Sequence, residues 1–210
     1  MKYGLFIFDF DGTLADTFPW FSGVINQVAE KYHFRKVSDE DSHRLRGWNV
    51  KDIMTFLGIP MWKTPLISAE FRKLMNHDID TIKLFDGVKG LLSRLKEEDI
   101  KIAVVSSNSK ENVRHILKRH EIIEIDLFKC GVSVKGKSSK LRGVIHRSGK
   151  QLPDVIYIGD EIRDIHAARE VGIDSGVVSW GYNDAEALKA EKPDQIYYDM
   201  NEIYVQNLSS

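Results

Sequence analysis

The chain has 210 residues, of which 42% are hydrophobic and 29% are charged, which is the composition of an ordinary globular protein of one domain or of one domain with a large insertion. The formal net charge of -1 gives no general attraction to nucleic acid or to an anionic membrane, so we expect neither as a partner. The single cysteine excludes an internal disulfide, and no apolar run approaches the length of a membrane span, so we expect a cytoplasmic protein.

The first predicted element is a buried strand over residues 5–8, which are all large and apolar. It ends abruptly in the motif D-F-D-G-T. Because side chains alternate along a strand, Asp9 and Asp11 should leave it on the same side. Two carboxylates about 4 Å apart repel by roughly 4 kcal/mol at an effective dielectric constant near 20. The pair therefore indicates a bound cation, a retained proton or, as the alternative that this motif alone leaves open, a solvated strand end.

Residues 16–83 lack a convincing strand and instead contain three apolar stripes at helical spacing. The stripes begin at Phe21, Val50 and Ile67. This pattern predicts a small helical unit inserted directly after the first strand, with hinges near Asp16 and Lys83.

After the inserted unit, β-rich runs alternate with helical patterns, which predicts parallel strands joined by right-handed crossovers. The predicted strands are residues 100–105, 155–158, 176–180 and 195–198. We therefore predict an α/β fold in which a doubly wound, parallel, Rossmann-like core carries an all-helical cap. Its ligand should lie beyond the carboxyl ends of the strands. The predicted core comprises residues 1–15 and 84–210, and the predicted cap comprises residues 16–83.

Four polar motifs fall at this edge of the predicted sheet: D-F-D-G-T, S-S-N-S at residues 106–109, V-K-G-K-S-S-K at residues 134–140 and G-D-E-I-R-D at residues 159–164. Together and in this order they resemble the haloacid dehalogenase-like hydrolases, particularly the phosphoglycolate phosphatase-like branch with a helical cap. The resemblance covers essentially the whole chain. It implies a Mg²⁺-dependent phosphatase that acts on a small phosphorylated metabolite through an aspartyl-phosphate intermediate, as a monomer or homodimer.

The resemblance implies a role for each acid of the first and fourth motifs. Asp9 is the expected nucleophile, and Asp11 the expected general acid and base, because the leaving group needs a proton and the attacking water must later lose one. The expected metal ligands are Asp9, the backbone carbonyl of Asp11 and Asp160. Asp164, one helical turn after Asp160, is expected to contact these ligands without binding the metal directly, or to act on the metal through a water molecule.

The second motif and Gly12 of the first motif are the expected phosphate-binding elements. Ser106 occupies the position of a side chain that hydrogen-bonds the phosphoryl group in the family, assisted by the amides of Ser107 and Asn108. A simple helix N-cap is the alternative reading of this serine-rich run. Gly12 permits the sharp turn out of the strand, and Thr13 is expected to bond to the backbone of its own loop.

The third motif contains three lysines, one of which is the expected active-site lysine. Lys137 directly precedes Ser138 or Ser139, one of which we expect to be the helix N-cap, and its ammonium would bridge Asp9 and the phosphate. Lys140 is the alternative, and Lys135 is read as ordinary surface charge.

Three residues of the inserted unit are candidates for contact with the leaving group: Arg46, Trp48 and Lys51. For Trp48, packing between cap helices is an equal alternative. A phosphomutase of the same fold and a non-catalytic phosphometabolite-binding protein are the alternative functions. Mutases usually have Glu-Asp where this chain has Gly159-Asp160, and a dehalogenase, whose halide needs no proton, would lack the acid at Asp11.

Overall fold

The computed structural model describes residues 1–132 and 136–208. In this part of the chain the strands are β1 Leu5–Phe8, β2 Ala15–Asp16, β3 Lys83–Leu84, β4 Lys101–Val105, β5 Leu127–Lys129, β6 Val155–Gly159, β7 Asp174–Val178 and β8 Gln195–Tyr197. The α-helices are α1 Phe18–Tyr32, α2 Asp39–Leu45, α3 Val50–Phe56, α4 Thr64–His77, α5 Val88–Glu97, α6 Lys110–Arg119, α7 Gly136–Ser148, α8 Ile162–Val171, α9 Ala185–Ala190 and α10 Met200–Val205.

Six strands form one parallel sheet in the order β5-β4-β1-β6-β7-β8. This arrangement confirms the predicted α/β fold with a doubly wound sheet. The strand predicted at residues 176–180 lies two residues earlier, at Asp174–Val178. Strand β5 was not predicted, because it has only three residues and lies half-buried at the edge of the sheet.

The central strand β1 is buried on both faces, as its uniformly apolar sequence predicts. Phe6 and Phe8 pack in the core on one face of the sheet, together with α5, α6 and α10. Leu5 and Ile7 pack in the core on the other face, together with α7 and α8. The alternation of side chains along one strand thus supplies both halves of the core.

The inserted region contains four α-helices where three were predicted, since α2 has too few apolar residues to produce a stripe. Ser38 and Asp41 form a capping box at the start of α2, and this S-x-x-D spacing is the feature of the sequence that could have predicted the helix. Strands β2 and β3 pair antiparallel at the two ends of the region. This pairing holds the two connections between the inserted region and the rest of the chain next to each other.

The start of α7 differs from the prediction. The helix begins at Gly136, so Ser138 and Ser139 lie inside its first turns and the prediction that one of them is the N-cap is wrong. Lys135 lies outside the described residues. None of the helices within residues 1–132 and 136–208 combines the length and apolar character needed to cross a membrane.

Candidate active site

The sheet register brings three of the predicted motifs to one edge. Phe8, the last residue of β1, pairs with Val104 of β4 on one side and with Ile158 of β6 on the other. Asp9 and Asp160 therefore leave neighbouring parallel strands at nearly the same level. Ser106 leaves β4 at the same level, which places all three at one site.

Asp9 lies at the centre of this edge and is only 3% exposed. Its Oδ1 accepts a hydrogen bond from the Phe10 amide at 2.7 Å, and its Oδ2 accepts one from the Lys137 ammonium at 2.6 Å. Burial raises the pKa of Asp9, although the Lys137 ammonium acts in the opposite direction. The two bonds orient the carboxylate with one oxygen held by a cation.

The two candidate lysines have different surroundings. Lys137, in the first turn of α7, bridges Asp9 and Asp164, and the charges of these two carboxylates raise its pKa in spite of burial. Lys140 instead donates to the backbone carbonyls of Ser106, at 2.6 Å, and Gly131. Burial lowers the pKa of Lys140 to about 8. Lys137 is therefore the lysine that the fold brings to Asp9, whereas Lys140 holds the loop after β4.

Asp164 is fully engaged by protein donors. Its Oδ1 accepts from Lys137 and from the hydroxyl of Tyr157 at 3.0 Å, and its Oδ2 accepts from the amides of Asp160 at 3.2 Å and Glu161 at 3.1 Å. Burial alone would raise the pKa of Asp164, but Lys137 is the main opposing charge and the net pKa is lowered. Because all its acceptor positions are used, Asp164 orients Lys137 and does not offer a free oxygen.

Asp160 is completely buried and has neutral partners. Oδ1 accepts from the Thr13 hydroxyl at 2.7 Å, and Oδ2 accepts from the Tyr182 amide at 2.8 Å. The expectation that Thr13 bonds its own loop is wrong, because the register of the two strands brings its hydroxyl to Asp160. Burial, followed by the charges of Glu161 and Asp9, raises the pKa of Asp160 well above its usual range.

Glycine is required where the backbone approaches Asp160. A Cβ on Gly12, whose φ is +76°, would lie 2.2 Å from Oδ2 of Asp160, and one on Gly181 would lie 2.2 Å from its Cβ. The predicted turn at Gly12 is thus also a close contact between two of the motifs.

Asp11 faces the loop after β4. It accepts hydrogen bonds from the Ser106 hydroxyl at 3.3 Å and from Nδ2 of Asn108 at 3.0 Å. Burial, together with the charge of Asp9, raises the pKa of Asp11 to about 7. Phe10 points the other way into the core, as the alternation along the strand predicts. The two aspartates therefore differ in partners and in proton affinity.

The predicted phosphate-binding run has separate roles along its length. The Ser106 hydroxyl also accepts the amide of Asn108 at 2.9 Å, Ser107 is exposed, and Ser109 is the N-cap of α6. The cap function thus falls on Ser109. Ser107 and Asn108 line a cavity of about 440 Å³ that also contains Asp9 and Asp11.

The acidic cluster fits a divalent cation. Oxygen atoms of Asp9, Asp160 and Asp164 lie within 4.8 Å of one another, and carboxylate oxygens are the ligands that Mg²⁺ prefers. Asp164 has no free acceptor position, which leaves the side chains of Asp9 and Asp160. Among the described residues no Lys, Arg or His pairs with Asp160, so a cation would balance its buried charge. Because the side chain of Asp11 is turned to Ser106 and Asn108, only its backbone can contribute here.

The inserted helices are fastened to the core through the loop after β7. Nη2 of Arg46 donates to the Gly181 carbonyl at 2.7 Å, and its Nε donates to the Tyr182 carbonyl at 3.2 Å. In return, Nδ2 of Asn183 donates to the carbonyls of Arg46 at 2.7 Å and Trp48 at 2.9 Å. These four bonds hold the helical region directly above the acids.

The structure separates the three candidates of the inserted unit. Arg46 and Trp48 line the 440 Å³ cavity, and the Trp48 ring also packs edge-on against Phe56, with 5.5 Å between the ring centroids. Lys51 is exposed on α3 and is not one of the described residues that line the cavity.

Sequence reasoning missed three residues that support the acids: Tyr157, Tyr182 and Asn183. The role of Tyr157 could have been predicted, because a tyrosine in a strand buried on both faces needs a hydrogen-bond partner for its hydroxyl. The roles of Tyr182 and Asn183 could not, since they act through a loop whose position depends on the fold.

Comparisons with known proteins agree with this geometry. A family model described as haloacid dehalogenase-like hydrolase matches residues 6–178. The chain is 32% identical to a phosphoglycolate phosphatase of Synechococcus elongatus, over 90% of this chain and 89% of that protein. It is 24% identical to the pyrophosphatase PpaX of Bacillus cereus, over 97% of this chain and 95% of that protein. A solved haloacid dehalogenase-like family hydrolase from Streptococcus pneumoniae has the same fold, with a TM-score of 0.80, 19% identity and 99% of each chain covered.

Proposed function

The chain belongs to the haloacid dehalogenase-like hydrolase family, and on this premise we propose that it is a Mg²⁺-dependent phosphatase that hydrolyses a small phosphate monoester. The phosphoglycolate phosphatase relative supports this activity class. The observation that carries the proposal is the pairing of a buried, lysine-held Asp9 with a second carboxyl, Asp11, whose pKa is raised to about 7.

Asp9 is the proposed nucleophile. One of its carboxylate oxygens attacks phosphorus, the bond from phosphorus to the ester oxygen breaks, and an aspartyl-phosphate forms. The Lys137 ammonium, 2.6 Å from Oδ2, offsets part of the charge that would otherwise repel the substrate dianion. Asp164 and Tyr157 keep that ammonium in place.

Asp11 is the proposed acid and base. A carboxyl with a pKa near 7 is partly protonated at neutral pH, so it can give its proton to the departing alkoxide. It is then a carboxylate and can take a proton from the water that hydrolyses the aspartyl-phosphate. The hydrogen bonds from Ser106 and Asn108 hold the Asp11 carboxyl group in its position next to Asp9.

The metal and phosphate ligands follow from the same geometry. The side chains of Asp9 and Asp160 and the backbone carbonyl of Asp11 would hold Mg²⁺, which when bound supplies charge neutralisation and aligns the reacting oxygens. Ser106, Ser107, Asn108 and Lys137 are the proposed ligands of the phosphoryl oxygens.

The helical region of residues 16–83 is the proposed cap, which excludes water from the reacting groups. Its attachment through the β2–β3 pair and through Arg46 supports this division of the chain. The packing of Trp48 against Phe56 and its place in the cavity wall are compatible with each other, so both readings of this residue contribute to the proposed cap.

Hydrolysis of p-nitrophenyl phosphate with Mg²⁺ tests the proposal. We expect Asp9→Asn to lower kcat by at least about 10³-fold, because it removes the nucleophile. Chelation of the metal should also abolish turnover. Asp99→Asn is the matched control: the same change is made on an exposed turn with φ of +56°, which Asn accepts.

Undiminished hydrolysis by Asp9→Asn would contradict the mechanism. Failure of the wild-type protein to hydrolyse any phosphate ester, combined with tight binding of inorganic phosphate, would identify a non-catalytic binding protein instead.

A further inference from the structure

The cavity above the acids is larger and more apolar than the two-carbon acid phosphoglycolate requires. We propose that the substrate is a phosphate monoester of an alcohol with an extended apolar part, either an alkyl chain of about four to eight carbons or an aromatic ring. This inference rests on the proposed phosphatase function and concerns the leaving group alone.

The wall nearest to Asp11 is aromatic and thioether in character. Sδ of Met75 lies 2.9 Å from Nδ2 of Asn108, the same nitrogen that bonds Asp11. The Tyr182 ring lines the same cavity, and its hydroxyl is within hydrogen-bond distance of Thr17. The alkoxide that receives the proton of Asp11 would therefore leave into a cavity whose wall includes the Met75 thioether and the Tyr182 ring.

This apolar wall continues away from the core as a chain of rings. Tyr182 contacts Phe18 and Phe21, with 5.3 and 5.6 Å between ring centroids, and Phe21 contacts Phe71 of α4 at 5.0 Å. All four rings line the cavity, and aliphatic side chains of α1, α3 and α4 continue its surface. Apolar area of this kind, gathered in one concave site, favours an apolar ligand over water.

Among the described residues, three cations line this cavity, namely Arg46, Arg72 and Arg163, and two of them have other partners. Arg46 gives Nε and Nη2 to core carbonyls and stacks 5.0 Å from the Phe18 ring, and Arg163 pairs with Glu161. A carboxylate next to the ester oxygen would have to compete with the partners of Arg46 and Arg163, and a carboxylate left unpaired is costly in an apolar site. Its recognition would therefore fall on Arg72 of α4, the lining cation for which no partner is found among the described residues.

The size of the cavity leads to the same conclusion. Its volume is about 440 Å³. The part beside Asp9 and Asp11 would hold the phosphoryl group, and the rest, lined by the helical region, suits a leaving group larger than glycolate, which has five non-hydrogen atoms. With glycolate as leaving group, water would have to fill the space against the aromatic wall.

A series of n-alkyl phosphates from methyl to hexyl tests the inference, with phosphoglycolate in the same assay. Each added methylene should raise kcat/KM by about two- to fourfold, mostly through KM, so hexyl phosphate should exceed methyl phosphate by at least about 30-fold. Hexyl phosphate should exceed phosphoglycolate by at least about tenfold in the same parameter.

Two variants on α4 separate the cavity from the rest of the helix. Ser68 lines the cavity, so Ser68→Phe should erase the chain-length dependence by filling the space. Leu66 is 53% exposed and is not one of the described lining residues, so Leu66→Phe should leave the whole series unchanged.

Binding of n-alkylphosphonates, measured calorimetrically, gives a readout without turnover, because their carbon–phosphorus bond resists this chemistry. Affinity should rise with chain length, and the heat capacity of binding should become more negative. A flat series in both experiments, or phosphoglycolate as the better substrate, overturns the inference while Asp9-dependent turnover leaves the proposed function standing. Absence of turnover with every phosphate ester overturns both.

Discussion

The carboxyl edge of the sheet and the helical region above it line one cavity, but different interactions hold their side chains in place. At the sheet edge each carboxylate has two or more donors, and Asp164 alone accepts four hydrogen bonds. The helical wall contributes mainly side chains that contact one another, such as Phe21 and Phe71.

On the proposed function, this difference corresponds to a division between the reacting groups and the surface that contacts the leaving group. Groups that react must be held in one geometry and one protonation state, which requires many directed bonds. A surface that recognises a leaving group needs shape and apolar area, which side-chain packing supplies and which can vary without disturbing the chemistry. The following predictions test this division.

The largest effect is expected for Asp11, the proposed acid beside Asp9. Asp11→Asn should lower kcat for hexyl phosphate by about 10²- to 10⁴-fold, because neither proton transfer is then assisted. With p-nitrophenyl phosphate the first step needs no proton, so stopped-flow measurements should show a burst of p-nitrophenolate followed by slow turnover. Phe71→Ala, in the apolar wall, should instead raise KM for hexyl phosphate and retain kcat. Equal losses of kcat in both variants would contradict the division.

The two buried lysines should separate catalysis from structure. Lys137→Met removes the cation at Asp9 and should lower kcat/KM by about 10²- to 10³-fold. Lys140→Met leaves the carbonyls of Ser106 and Gly131 without their donor and should lower the free energy of unfolding by about 1–3 kcal/mol, with the smaller loss of activity. Urea denaturation and steady-state kinetics measure both effects, and the reverse pattern would assign the catalytic role to Lys140.

The pH dependence should follow Asp11. Its pKa is raised to about 7, so the protonated form that serves as acid prevails below that pH and is lost as the pH rises. For alkyl phosphates, kcat/KM should therefore fall up to about tenfold per pH unit above this value. The decline should be weaker for p-nitrophenyl phosphate, whose leaving group needs no proton. Identical alkaline limbs for the two substrates would remove Asp11 from the acid role.

The smallest effect concerns the junction between the two regions. Asn183→Ala removes the donor to the Arg46 and Trp48 carbonyls and should lower the free energy of unfolding by about 1–3 kcal/mol, with little change in the chemical step. Asn201→Ala, at an exposed position, should change stability by less than about 0.5 kcal/mol. Thermal unfolding of both variants measures the difference, and equal stabilities would show that the junction does not depend on this side chain.

Elements with a strong local signal were predicted well, and those without one were not. The uniformly apolar β1 and the amphipathic α5 follow the patterns that define them. Strand β5 has only three half-buried residues, and α2 has an acidic first turn in place of an apolar stripe, so neither produces a recognisable period. Here tertiary packing, and not local propensity, creates the element.

The sequence by itself determined the parallel sheet and placed Asp9, Asp11 and Asp160 at its carboxyl edge. Strand composition, the spacing of the motifs and the crossover rule are local or general enough for that conclusion. Only the tertiary structure decided that Lys137 contacts Asp9, that Thr13 bonds Asp160 and that an aromatic wall stands over the acids. The first two contacts join residues more than a hundred positions apart, and all three depend on how strands and helices pack, which no local pattern records.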